Sequence, residues 1–119
     1  MILAGVSDLM MASKIRSAAA AAGTEVRFAR SAASLLDEAR ATRPDLVILD
    51  LDDRLVDPLE ALAALRSDPA LASLRVLGFV SHVRADRIAA ARQAGIDEVL
   101  ARSAFATGLA GLLSSAREG

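Results

Sequence analysis

Pro44-Asp45-Leu46-Val47-Ile48-Leu49-Asp50-Leu51 is the stretch on which the reading of the fold turns. Leu46 to Leu49 are aliphatic without alternation, the pattern of a strand buried on both faces rather than one with a wet side. Pro44 favours extended backbone in the residue before it and so closes the helix that precedes it. As the most apolar of the strand-like segments, this one is expected at the centre of a sheet. Its carboxyl end delivers Asp50, Asp52 and Asp53, and any polar chemistry belongs there.

Upstream, Ser31 is placed to cap a helix that buries Leu35, Leu36 and Ala39 and turns Asp37, Glu38 and Arg40 to water. Glu25 to Ala29 reads as a strand. Before it a helix carries Met11, Ile15, Ala18 and Ala22 on one stripe, capped by Ser7 or Asp8 and stopped by Gly23. Ile2 to Val6 is a further apolar strand. Downstream, Asp57-Pro58-Leu59-Glu60 has the marks of a helix start: Asp57 as cap, Pro58 in the first turn and Glu60 closing a capping box. Leu59, Leu62 and Ala63 of that helix are expected to face the sheet. Then come a strand from Arg75 to Val80, a helix from Ala85 to Ala94 stopped by Gly95, and a short strand from Glu98 to Leu100. Ser103 is expected to cap the last helix, whose stripe is Phe105, Leu109, Leu112 and Ala116. Strands alternating with helices through right-handed crossovers make a doubly wound three-layer α/β sandwich. Residues 1–119 are read as one domain.

Composition narrows the function. Hydrophobic residues make up 54% of the chain and aromatic ones only 3%, so the core has to come from Leu, Ile, Val and Ala. A net charge of -1 offers neither a basic stripe for phosphate backbones nor a polybasic membrane patch, so direct contact with nucleic acid or membrane is not expected. The absence of cysteine removes disulfides, thiolate metal sites and cysteine nucleophiles, and fits a reducing, cytoplasmic setting. The apolar opening Met1 to Val6 meets Asp8 too early for a signal-peptide core. No stretch approaches the roughly 20 apolar residues of a membrane span.

Pro44 to Leu51, followed by Asp57, Leu59 and Glu60, closely resembles the receiver domain of two-component response regulators. Gly23, the run Gly95-Ile96-Asp97-Glu98-Val99-Leu100 and the basic Arg102 fall where that family has its corresponding features, and the resemblance spans essentially the whole chain. It implies a flavodoxin-like fold with strand order 2-1-3-4-5, five helices and a site at the carboxyl edge of the sheet. It also implies that Asp50 matches the phosphoacceptor, served by magnesium held partly by two acidic residues after the first strand. Those two positions are Val6 and Ser7 here. Magnesium needs oxygen ligands and usually a carboxylate or two, which an aliphatic side chain cannot supply. Asp8 comes one residue late and is expected to point elsewhere. The hydroxyl position at the end of the fourth strand is Val80, with Ser81 next to it and expected to face away. Arg102 stands for the family's lysine and Val99 for its aromatic switch residue.

The resemblance therefore implies a degenerate receiver, a pseudo-receiver that is not an enzyme, needs no cofactor and acts by protein–protein interaction in a signalling pathway. The competing reading is a phosphorelay receiver phosphorylated on Asp50 by a histidine kinase, with magnesium bound by Asp50 and Asp52. Arg102, whose planar fork can hold a carboxylate, is expected to neutralise Asp50 directly. Asp52 and Asp53 read first as a solvated acidic loop beside Arg54, His82 as a surface histidine, and Met10 and Met11 as core residues. Opposite its core stripe, the last helix shows Ala104, Thr107, Gly108, Gly111 and Ser115, with no charge between Arg102 and Arg117. With Ala90, Val99 and Ala101 this smooth surface is the expected contact for a protein partner, an output domain or a second copy, through the fourth helix, fifth strand and fifth helix.

Overall fold

The computed structural model describes residues 1–81 and 84–118, the last three of them as backbone only. Its elements run β1(Ile2–Gly5), α1(Leu9–Ala22), β2(Val26–Phe28), α2(Ala32–Thr42), β3(Leu46–Asp50), α3(Pro58–Ser67), β4(Val76–Val80), α4(Ala85–Gln93), β5(Glu98–Ala101) and α5(Arg102–Glu118). The strands form one parallel sheet in the order β2-β1-β3-β4-β5, the flavodoxin-like arrangement. β3 is central, with Ile2 opposite Leu46 on one side and Phe79 opposite Asp50 on the other.

Every residue of β3 is buried, because helices cover both faces of the sheet. Alternate side chains go to opposite layers. Leu46 and Ile48 join Met11 and Ile15 of α1 and Phe105, Leu109 and Leu113 of α5. Val47 and Leu49 join Leu35 and Ala39 of α2, Leu62 and Leu65 of α3 and Ala91 of α4. With so few aromatic rings, one stacked pair carries much of the first layer: Phe79 and Phe105 lie 4.5 Å apart between centroids.

Helix ends follow local chemistry. Asp8 caps α1 by accepting from the Met10 and Met11 N–H groups, and Gly23 ends it at φ 70°. A capping box forms at Ser31 and Ser34. At α3 Asp57 accepts from the Leu59 and Glu60 N–H groups, so Glu60 contributes its backbone rather than the carboxylate expected of a capping box. That helix buries Ala61, Leu62 and Leu65, while Leu59 is half-buried and Ala63 exposed. Ser103 is not a cap. β5 passes into α5 without an intervening residue, which places Ser103 inside the first turn. The α5 stripe also shifts: Phe105, Leu109 and Leu113 are buried and Leu112 is half-buried, while the Ala116 side chain lies outside the described residues.

Phe105→Ala leaves Phe79 without its stacked partner and opens a cavity between α5 and the sheet. It is expected to cost about 3–5 kcal/mol in urea unfolding, with an unchanged strand content by circular dichroism if the mutant still folds.

Candidate functional site at the carboxyl edge of the sheet

Parallel strands place their carboxyl ends on one edge, where the β1–α1, β3–α3 and β4–α4 connections meet. There Asp8, Met10, Asp50, Asp52, Arg54 and Arg102, together with Ser7, Leu9 and Ser81, line an open cleft of about 560 Å³. Asp50 ends the central strand and is 5% exposed. Its Oδ1 accepts from the Asp52 N–H at 2.9 Å. Burial holds the Asp50 carboxyl above its ordinary value of 3.8; the neighbouring charges of Asp53 and Asp52 push the same way, while the Asp52 N–H and, more weakly, Arg102 oppose them.

The expected ion pair between Arg102 and Asp50 is not formed. Arg102 Nη2 lies 2.7 Å from Asp8 Oδ2 instead. Asp8 is fixed at the head of α1, Arg102 opens α5, and these two helices pack side by side. The same Asp8 carboxylate therefore holds two helices: Oδ1 caps α1 and Oδ2 takes the guanidinium. The capping N–H of Met11 and then Arg102 keep its carboxyl below the ordinary range. Asp8 was expected to point away from the site and in fact lines it.

The two carboxylates after Asp50 are also tied down, against the expectation of a merely solvated loop. Asp53 accepts from the Ser7 N–H at 3.0 Å, from the Ser7 hydroxyl, and from the Val56 N–H at 2.8 Å. Asp52 accepts from the Ser81 N–H at 2.8 Å and has Arg84 Nη1 at 3.8 Å. Ser81 thus borders the cleft instead of facing away. Arg84 and Arg87, whose Nη1 donates to the Leu51 carbonyl at 2.8 Å, were not legible as site residues, because nothing in linear spacing joins the start of α4 to the end of β3.

Val6 is 3% exposed and belongs to the same core layer as Met11 and Phe105. Val80 is 4% exposed within the layer under α2, α3 and α4, and Val99 is half-buried against the same layer. Met11 is core as expected, but Met10 is 71% exposed at the cleft, since the two cannot share a helix face. His82 lies outside the described residues. Among the described residues no three His, Asp or Glu side chains are grouped to hold a metal ion, and no helix is long and apolar enough to cross a membrane.

Because its carboxyl holds a proton more tightly in the fold than in the unfolded chain, Asp50 favours folding most at pH below 3.8, and that contribution is lost as pH rises through its folded value. Asp50→Asn removes the buried charge and keeps an acceptor for the Asp52 N–H. Thermal unfolding should show it more stable than wild type at pH 7, by on the order of 1 kcal/mol, with the gain vanishing toward pH 3. An equal gain at both pH values would contradict a buried-charge origin.

No family model and no curated protein matches the sequence. Solved structures do. A response regulator protein from Burkholderia multivorans is 30% identical, with a TM-score of 0.76 over 99% of this chain and 94% of that one. The phosphorylated cyanobacterial phytochrome response regulator RcpA is 26% identical, with a TM-score of 0.79 over 98% of this chain and 90% of that one. The receiver domain of NtrX from Brucella abortus, at 22% identity and a TM-score of 0.80, covers 99% and 98% and shares the fold. With 30% identity across nearly the whole of both chains, this chain belongs to the response-regulator receiver family.

Proposed function

We propose that this chain is a receiver-type signalling module that works by binding other proteins, with Asp50 kept outside magnesium-dependent phosphoryl transfer. The observation that carries this reading is the fate of the two positions after β1. Val6 is buried in the core, and Ser7 is bound through both its N–H and its hydroxyl to Asp53. The donor set does not fit magnesium. Asp50 lacks a second free carboxylate beside it, because Asp8 is held by α1 and Arg102, Asp52 by Ser81 and Arg84, and Asp53 by Ser7 and Val56. Phosphoryl transfer depends almost wholly on positioning and charge neutralisation, so a pocket that cannot recruit the ion has little left with which to lower the barrier. Val80 supplies no hydroxyl for a phosphoryl oxygen.

A working phosphoacceptor is the second reading, favoured by the placement of the Asp50 carboxylate at an open cleft with Arg102 and Arg54 on its walls. Incubation with acetyl phosphate and magnesium, followed by intact-mass measurement, separates the two. The expected result is an unmodified chain. A stoichiometric phosphoryl adduct that disappears in Asp50→Ala overturns the proposal.

Recognition of an output domain or a second copy is assigned to α4, β5 and α5. Thr107, Gly108, Gly111 and Ala101 are exposed there beside half-buried Ala90 and Val99. A Cβ added at Gly108 or Gly111 would meet nothing within 4 Å, so both positions have open space beside them. Gly111→Arg should leave the unfolding midpoint near wild type and abolish self-association in sedimentation equilibrium; a chain that stays dimeric with this substitution places the contact elsewhere.

A further inference from the structure

The large apolar side chains left exposed among the described residues are Leu9, at 83%, Met10, at 71%, and Leu55, at 63%. Leu9 and Met10 open α1 at the cleft, and Leu9 also shares a second hollow with Leu55 of the β3–α3 connection. Leu9 and Leu55, with Ala12 and Phe28, line a groove of about 260 Å³ between α1 and the end of β2. The groove takes its lining from α1, β2 and neighbouring loops, and β2 lies across β3 from β4 and β5 in the sheet. Solvent-exposed leucines facing a shared groove are an unpaid hydrophobic surface, and such patches mark contacts with other molecules.

The charge beside the groove indicates what fits it. Arg16 and Arg30 both line it. The Arg16 guanidinium carbon sits 4.5 Å from the centroid of the Phe28 ring, a stacking that leaves the N–H edges of the fork available to a carboxylate. Neither Arg16 nor Arg30 has a carboxylate within ion-pair distance among the described residues, whereas Arg27 between them in sequence is held by Glu25 and Glu38. The acidic groups of the adjoining loop are turned to backbone N–H groups, Asp53 to Ser7 and Val56 and Asp57 to Leu59 and Glu60. The groove is thus apolar at its floor, with two arginines at its edge that make no ion pair among the described residues.

We infer that this groove docks an acidic amphipathic helix of a partner protein, its apolar side chains laid between Leu9, Phe28 and Leu55 and its Asp or Glu residues on Arg16 and Arg30. Helical ligands present apolar anchors at i and i+4 with charges beside them, which matches a short groove with flanking arginines. A small-molecule acid fits poorly, since the space lies below the volume of pockets that enclose such ligands. The docking needs no phosphoryl group on Asp50 and adds a second contact surface to the one on α4, β5 and α5.

The test begins with selection of peptides from a random phage-displayed library on the immobilised full chain, followed by titration of the selected synthetic peptides into the ¹⁵N-labelled chain. Selected peptides should carry net negative charge and apolar residues four apart, and should shift the amides of Leu9, Arg16, Phe28, Arg30 and Leu55. The dissociation constant should rise at least about fivefold in Leu9→Ser and in Arg16→Glu/Arg30→Glu, and should rise with added salt. Leu9 and both arginines are exposed, so these variants are expected to keep wild-type amide spectra; should one misfold, Leu55→Ser serves in its place. The inference falls if no peptide is selected, if the peptides are neutral or basic, if the shifts map to α4, β5 and α5, or if the same amides shift only on self-association of the chain.

Discussion

A strand with every residue buried has to be covered on both faces, and the burial of Leu46 to Asp50 governs the rest of this molecule. Covering both faces with one chain requires helical crossovers between parallel strands, and right-handed crossovers bring all the carboxyl ends to one edge. The sheet order then follows from placing the most apolar strand in the middle, with shorter, half-exposed β2 and β5 at the margins. Asp50 is carried into this arrangement as the last residue of the strand. Its carboxylate is buried not because the interior favours it but because the backbone ahead of it does.

That burial sets the electrostatic problem at the site. Asp8 and Asp52 line the cleft with Asp50, Asp53 follows Asp52 in the same loop, and each of the three is committed to a structural partner. Asp8 joins the heads of α1 and α5 through Met11 and Arg102. Asp52 ties the end of β4 and the start of α4 to the β3–α3 loop, and Asp53 ties that loop to the end of β1. Hydrogen bonds to charged groups are among the stronger ones, so the three loops are braced across the cleft by side chains of the kind that would otherwise recruit a cation.

On the reading proposed above, a site braced in this way serves recognition. Leu9 and Arg16 of the α1 corner, and the small, uncharged residues of α5, lie on helices whose opposite faces are packed into the core. Surfaces presented on a rigid scaffold lose little entropy when a partner docks.

Element order, layer assignment, the central place of β3 and most helix caps were legible in the sequence, because they depend on local rules: hydrophobic periodicity, the stop at Gly23, the caps at Asp8, Ser31 and Asp57. Where two local signals competed, the reading slipped. Ser103 has the better capping side chain, yet α5 begins directly from β5, whose pairing with β4 outweighs about 1 kcal/mol of capping. By itself the sequence also determined that the positions after β1 carry no acid at Val6 and Ser7. What only the tertiary structure decided is which charge meets which. Arg102 faces Asp8, 94 residues away, rather than Asp50, and Ser7 faces Asp53 across 46 residues. Such pairings depend on the packing of α1 against α5 and on the way two loops converge at the sheet edge, and spacing along the chain carries no signal for either.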